Sequence, residues 1–289
     1  PANVTPWQLA AQARGARVEL LPAPEPTRAD ASERVLEDLR AALRAGARYL
    51  AVSAVQFQTG FAMPIAELAR LCHEFDALCF VDAIQALGGQ PCDVESWGID
   101  GLAGGAHKWM LGLEGAGFLY VRSEVRARLR PLTAGWLSHE EGESFLFEGA
   151  GRLRYDRPLK PTARVFEGSS INAVGCAALE AGFDVCRTVG AANIAAHVQG
   201  YHDRIEPEWQ ARGFRSLRAA DSAGRSNILS FALPEGLALP ELARELRARR
   251  IMVSTPDGYV RLAPHFANPH SEIDHVVDAL DESLAALKR

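Results

Sequence analysis

With 289 residues the chain can bury one large core or two ordinary ones, and 48% hydrophobic with 23% charged residues is a globular composition. A net charge of −5 argues against a nucleic acid held on a basic surface, and no apolar run is long enough to span a bilayer. The five cysteines, Cys72, Cys79, Cys92, Cys176 and Cys186, show neither C-x-x-C nor Cys/His metal spacing, so reduced, mostly buried thiols and a cytoplasmic location are expected.

The chain opens on Pro1-Ala2-Asn3-Val4 with no Met and no targeting peptide, which predicts that an upstream segment is missing. Thr5-Pro6 starts a helix that Gly15 stops, and residues 16–21 read as a strand. Val35, Leu36, Leu39 and Leu43 give helical spacing over residues 31–45. A strand over 49–53, a helix over 64–75 and a strand over 78–82 follow. Gly101 to Gly105 leads to Lys108, and 116–121 is another strand. Apolar strands alternating with amphipathic helices imply a mainly parallel sheet sandwiched by helices, with ligands beyond the strands' carboxyl ends. Ser53, Asp82 and His107-Lys108 all fall at such ends.

Residues 134–164 are rich in Gly, Arg and aromatics and read as a loop excursion. A helix over 172–187 leads into a smaller α+β unit with helices near 191–210, 240–249 and 271–287 and a strand over 227–233. Two more strands, 251–254 and 259–263, flank a hairpin turn at Pro256-Asp257-Gly258. The expected division is a large domain over 1–184 and a small domain over 185–289.

Of 31 basic side chains only three, Lys108, Lys160 and Lys288, are lysine. Lys108 lies among small and apolar neighbours, where a chain that otherwise uses arginine has no need of a solvated cation. Guanidinium cannot lose its proton to become a nucleophile, so a retained lysine points to covalent chemistry, an imine with a carbonyl cofactor. A carboxylate facing the cofactor's ring nitrogen would strengthen such a ring as an electron sink, and Asp82 is the candidate.

The stretch from Phe80-Val81-Asp82-Ala83-Ile84-Gln85, followed by Gly105-Ala106-His107-Lys108-Trp109, resembles the class V aminotransferase family of pyridoxal 5′-phosphate (PLP) enzymes. Asn3 to Gln8, Phe166 to Asn172, and Val260-Arg261-Leu262-Ala263-Pro264-His265 extend the likeness almost end to end. The resemblance implies PLP-dependent transferase fold type I with a smaller C-terminal domain. It implies that Lys108 holds PLP as an imine and shuttles the Cα proton. Asp82 would pair with the pyridinium nitrogen, Gln85 with the ring's 3′ oxygen and His107 with the phosphate. Ser170 would reach the phosphate bound in the other subunit of a homodimer, Arg261 would grip the substrate carboxylate, and Gln56 would lie near the cofactor. Each residue also has a plainer reading: Asp82 or Ser170 as a helix cap, His107 as a packed core histidine, Gln85 or Arg261 as surface residues. Trp109 and Trp136 are expected to pack.

The sequence departs from the family in three places. The Gly/Thr-rich turn that cradles the phosphate and the ring that stacks on PLP would both precede Pro1. Gly105-Ala106 stands where many relatives carry Ser-Gly, and residues 251–261 contain no cysteine where desulfurases place a persulfide-forming one. The expected function is therefore transamination of an amino acid, with selenocysteine or cysteine lyase and epimerase chemistry as the alternative on the same machinery. Two further readings are a PLP-fold scaffold without chemistry and a nucleotide-binding protein using Gly112-Leu113-Glu114-Gly115-Ala116-Gly117 as its phosphate loop.

Overall fold

The structure is a computed structural model and describes residues 2–288. In its first half, α1 (Thr5–Arg14) buries no residue, whereas α2 (Ala31–Arg44) buries Val35, Leu39 and Leu43 along one stripe. β1 (Tyr49–Ser53) leads to α3 (Ile65–Glu74), which turns Ile65, Leu68, Leu71 and Cys72 inward. β2 (Leu78–Asp82) pairs parallel with β1, and β3 (Gly101–Gly105) parallel with β2 after a short α4 (Val94–Trp97). β4 (Gly117–Val121) returns antiparallel to β3, giving a four-stranded order β1-β2-β3-β4. Val52, Cys79, Val81 and Leu102 on these strands meet Leu39, Leu43, Leu68 and Leu71 on the helices in one buried cluster. Full burial stabilises each such side chain by about 1.5–3 kcal/mol, which is what fixes the helices on the sheet. The register sets Ser53 against Asp82 and Asp82 against Ala103, so three strand tips end at one edge.

Short helices α5 (Ser123–Arg128) and α6 (Ser144–Phe147) punctuate the segment before α7 (Ala173–Val189). The boundary expected between residues 184 and 185 falls inside α7, which runs unbroken until the chain turns at Gly190 into α8 (Ala191–Ala211). β5 (Arg215–Ser216), β6 (Leu229–Ala232) and β7 (Val260–Leu262) form a second, antiparallel sheet. α9 (Leu239–Ala248) lies between β6 and β7, and α10 (Ile273–Leu287) ends the described chain. A separate core forms here, in which Trp209 packs against Phe214 and Phe231 at ring-centroid distances of 4.9 and 5.0 Å. Among the described residues no helix is long and apolar enough to cross a membrane.

Two expected strands are absent. Residues 16–21 run extended but pair with nothing, and most are exposed. Their composition suits a strand, but a strand exists only where a neighbour completes the ladder. The hairpin near Pro256 shrinks to one pair, Ser254 with Arg261, joined by two backbone hydrogen bonds of 3.2 and 2.8 Å. Asp257 sits in the turn at φ 55°.

The halves meet through polar side chains of the second half donating to main-chain carbonyls of the first. Ser226 Oγ donates to Gly60 O (2.6 Å), Ser230 Oγ to Gln58 O (2.5 Å) and Asn227 Nδ2 to Gly89 O. Gly60 has φ 79°, and a Cβ there would fall on the Ile228 carbonyl, so only glycine allows this approach.

One buried residue gives the fold a pH dependence. His202 on α8 is fully buried, and neither ring nitrogen has a hydrogen-bond partner. Burial, reinforced by the Arg218 guanidinium, pushes its pKa down to about 3. The folded chain therefore keeps it neutral while the unfolded chain takes up a proton below about pH 6.5. Stability is complete above that pH and is lost as pH falls from about 6.5 toward 3. His202→Leu, which removes two orphaned polar atoms, is expected to raise stability at neutral pH by about 1 kcal/mol and to flatten this acid limb. Urea midpoints measured at about pH 7 and about pH 5 check it; equal acid losses in both proteins contradict the assignment.

Candidate active site

The site is built where β2 and β3 end. Asp82 is the last residue of β2, and one carboxylate oxygen, Oδ1, accepts from the Ile84 N–H (3.0 Å), holding the turn over residues 83–89. Capping and chemistry are thus compatible, because Oδ2 has no hydrogen-bond partner among the described residues. Past the end of β3, a tight turn closed by Gly112 N–H to Ala106 O (2.8 Å) presents His107 and Lys108 to solvent while burying Trp109 and Met110.

The Lys108 amine is held below the usual lysine range, chiefly by desolvation and then by the Arg261 cation, while the Asp82 carboxylate opposes both. Residues 82, 108 and 261, far apart in the chain, therefore share one electrostatic neighbourhood. A lysine tuned this way is neutral, and hence nucleophilic, at a lower pH than a solvated one.

Gln85 is buried, not a surface helix residue. Its Oε1 accepts from the Trp109 indole N–H (3.2 Å), which fixes the amide's orientation and leaves its NH₂ without a partner among the described residues. Trp109 is clamped from the other side by His265, whose ring stacks on the indole at 5.1 Å and 28°. The backbone N–H of Phe266 donates to His265 Nδ1 (2.8 Å), so Nε2 carries the ring proton and donates it to Trp109 O (3.0 Å). Burial lowers the His265 pKa, which favours this neutral form.

Arg261 on β7 reaches across to the first half. Nη1 donates to Phe57 O (2.7 Å), Nη2 to Ser254 Oγ (3.0 Å), and Nε is buried with no partner. The fork is thus held in place by two bonds, with Nε buried beneath it. It is no surface arginine.

The remaining expected residues are less engaged. His107 is exposed, not a core histidine, and Gln56 is half-buried; neither side chain makes a hydrogen bond among the described residues. Ser170 is exposed ahead of α7, whose N-terminus is capped by Asn172 Oδ1 accepting from Gly175 N–H (2.9 Å), so Ser170 is not the cap. No hydrogen bond joins Ser170 or Gln56 to the Lys108 group. Trp136 packs edge-on against Phe145. The glycine run at 112–117 opens a strand, not a helix, and a Cβ at Gly117 would strike Gly104 O. Gly117 serves strand pairing, and the phosphate-loop reading falls because no helix follows the run. Four contributors were not singled out from sequence for the parts they play here: the Phe57 carbonyl, Ser254, Trp109 and His265. Only His265 carried a signal, in the R-x-x-x-H spacing.

The profile described as "Aminotransferase class-V" matches residues 1–270. The chain belongs to the class V aminotransferase family. Among curated class V relatives, the uncharacterized aminotransferase YcbU of Bacillus subtilis is 30% identical over 78% of this chain and 57% of its own length. A probable cysteine desulfurase of Chlamydia trachomatis is 27% identical over 87% of this chain and 59% of its own. The chain thus spans somewhat under six-tenths of these relatives. Among solved structures, the apo cysteine desulfurase of Thermococcus onnurineus superposes with a TM-score of 0.84 at 23% identity, covering 98% of this chain and 70% of that one. The architecture is that of PLP-dependent transferase fold type I, as expected from the sequence.

Proposed function

We propose that this class V protein is a PLP-dependent enzyme that transaminates an amino acid, working as a cytoplasmic homodimer. The feature that supports the reading is geometric: Asp82 ends β2, Lys108 follows the end of the neighbouring β3, and Arg261 reaches from β7 to the Phe57 carbonyl of the first half. The residues present fit the cofactor: an amine of lowered basicity, a carboxylate oxygen without a partner among the described residues and the unused NH₂ of Gln85. When bound, PLP supplies a carbonyl for the amine and a protonated ring that draws electrons from the substrate's Cα. Lys108 would hold the cofactor through its amine and would be the group placed to move the substrate's Cα proton. Asp82 keeps the ring nitrogen protonated, and the Gln85 amide donates to the 3′ oxygen. Arg261 orients the substrate through its carboxylate. His107 and, from the other subunit, Ser170 reach the phosphate, and Gln56 lines the site.

The lyase reading on the same machinery has support in the relatives named as cysteine desulfurases. Against it stands the placement of the thiols. Residues 251–261 hold none; Cys72, Cys79 and Cys186 are buried, burial pushes the Cys92 thiol up to about 12, and the exposed Cys176 lies on α7, outside the segment where desulfurases place theirs. A protonated or buried thiol is a poor nucleophile.

Borohydride reduction of the PLP-loaded protein, followed by peptide mapping, is expected to leave a pyridoxyl group on Lys108. Unreduced PLP-loaded protein incubated with a panel of amino acids should yield the matching 2-oxo acid and the amine form of the cofactor. Sulfide released from cysteine, with no 2-oxo acid, would move the assignment to the lyase. A label elsewhere than Lys108 removes the basis of both.

A further inference from the structure

Trp109 links the two turns that carry the site. Its indole N–H donates to Gln85, in the turn that follows Asp82, and a Cβ at Gly89, at the end of that turn, would lie 2.9 Å from the indole. Its Cα is one peptide, about 3.8 Å, from that of Lys108. Trp109 is 5% exposed, and no backbone N–H reaches its carbonyl among the described residues. The donors to that oxygen are His265 Nε2 at 3.0 Å and the Cys186 thiol at 3.9 Å, a weak one.

His265 comes to this carbonyl already placed. Its backbone N–H donates to Asn268 Oδ1 (2.8 Å), and its carbonyl accepts from the Asn268 N–H (2.9 Å). Asn268 Nδ2 in turn donates to Glu272 Oε1 (2.9 Å), at the head of α10. The loop continues β7, so the strand that presents Arg261 also presents, four residues on, the donor that reaches Trp109. The imidazole stacks on the indole, yet a ring without a donor would leave a buried carbonyl with the thiol alone. The hydrogen bond, more than the stacking, therefore fixes Trp109.

We propose that His265 is a positioning residue: by holding the Trp109 carbonyl it keeps Lys108 and the Gln85 amide in fixed relation, although it bonds to neither. This rests on the reading of Lys108 as the residue that holds PLP. Attack of an amine on a carbonyl is sensitive to displacements of about 1 Å, so a loosened Trp109 is felt at Lys108 as a slower reaction.

The test compares the unaltered protein with His265→Ala, His265→Gln and His265→Phe, with urea midpoints as the check on folding. Glutamine keeps a donor in place of Nε2 without the ring, and phenylalanine keeps the ring without the donor. Attachment of PLP to Lys108, trapped with borohydride at timed intervals, should slow at least about tenfold in His265→Ala and His265→Phe and stay within about threefold of the unaltered rate in His265→Gln. In the cofactor-free protein, exchange of the Trp109 indole N–H, assigned by the loss of its NMR signal in Trp109→Phe, should quicken at least about tenfold in His265→Ala. A folded His265→Ala or His265→Phe that attaches PLP at the unaltered rate overturns the proposal. So does a folded His265→Gln as slow as the other two, or indole exchange that stays the same. Should His265→Ala fail to fold, the contrast between the glutamine and phenylalanine variants still decides; loss of folding in all three makes the histidine merely structural and refutes the proposal. An unaltered protein that attaches no PLP at Lys108 removes the Lys108 reading and this one with it, whereas normal attachment there with equal rates in the variants sinks this one alone.

Discussion

Lys108→Ala is expected to abolish covalent attachment of PLP and to lower turnover by about a thousandfold or more, the scale of a lost positioned base. The protein should still fold, because Lys108 is exposed and makes no side-chain hydrogen bond among the described residues. Lys108→Arg should be nearly as inactive, since guanidinium keeps the positive charge yet stays protonated and cannot attack a carbonyl. The pair of variants separates charge from nucleophilicity. Mass analysis after borohydride reduction reads attachment, and steady-state assay reads turnover. Substantial activity in Lys108→Arg would falsify the role assigned to this amine.

Arg261→Gln should act twice. Loss of the guanidinium fork raises KM for the amino acid by about ten- to a hundredfold, the range for truncating one partner of a partly buried, hydrogen-bonded charge pair. Loss of its cation also removes the second cause of the depressed Lys108 basicity. With a neighbouring positive charge gone, the protonated amine is favoured, so the pH at which Lys108 becomes reactive moves upward. The rate of cofactor attachment against pH should shift its rising limb to higher pH. Arg261→Lys retains the charge without the fork, so KM should rise while the limb stays near that of the unaltered protein. An unchanged KM in Arg261→Gln, or a limb shifting downward, contradicts the geometry.

Much of this was legible in the residues themselves. The stripe of Val35, Leu39 and Leu43 announces α2, and the apolar run of Leu78 to Val81 announces a buried strand, because burial selects side chains at fixed spacings. Asp82, Lys108 and Arg261 stood out as candidates because the chemistry proposed for them depends on side-chain type. The clamp on Trp109 was not, since ring stacking and a bond to a backbone carbonyl impose no spacing. Phe57 contributes only its carbonyl, which any residue could supply. Residues 16–21 misled for the opposite reason, as a strand-like composition says nothing about whether a partner strand stands beside it. The exposure of Ser170 likewise shows only that this chain, taken singly, gives it no partner.

The side-chain contacts between the halves run in one direction. Ser226, Asn227, Ser230, Arg261 and His265 each donate from a side chain, and Gly60, Gly89, Gln58, Phe57 and Trp109 each answer with a main-chain oxygen. Substitution at Gln58 or Phe57 can therefore leave these bonds intact, whereas a change at any of the five donors removes one of them. A chimera that imports residues 226–265 from a relative would bring its own fasteners and find the docking carbonyls already in place.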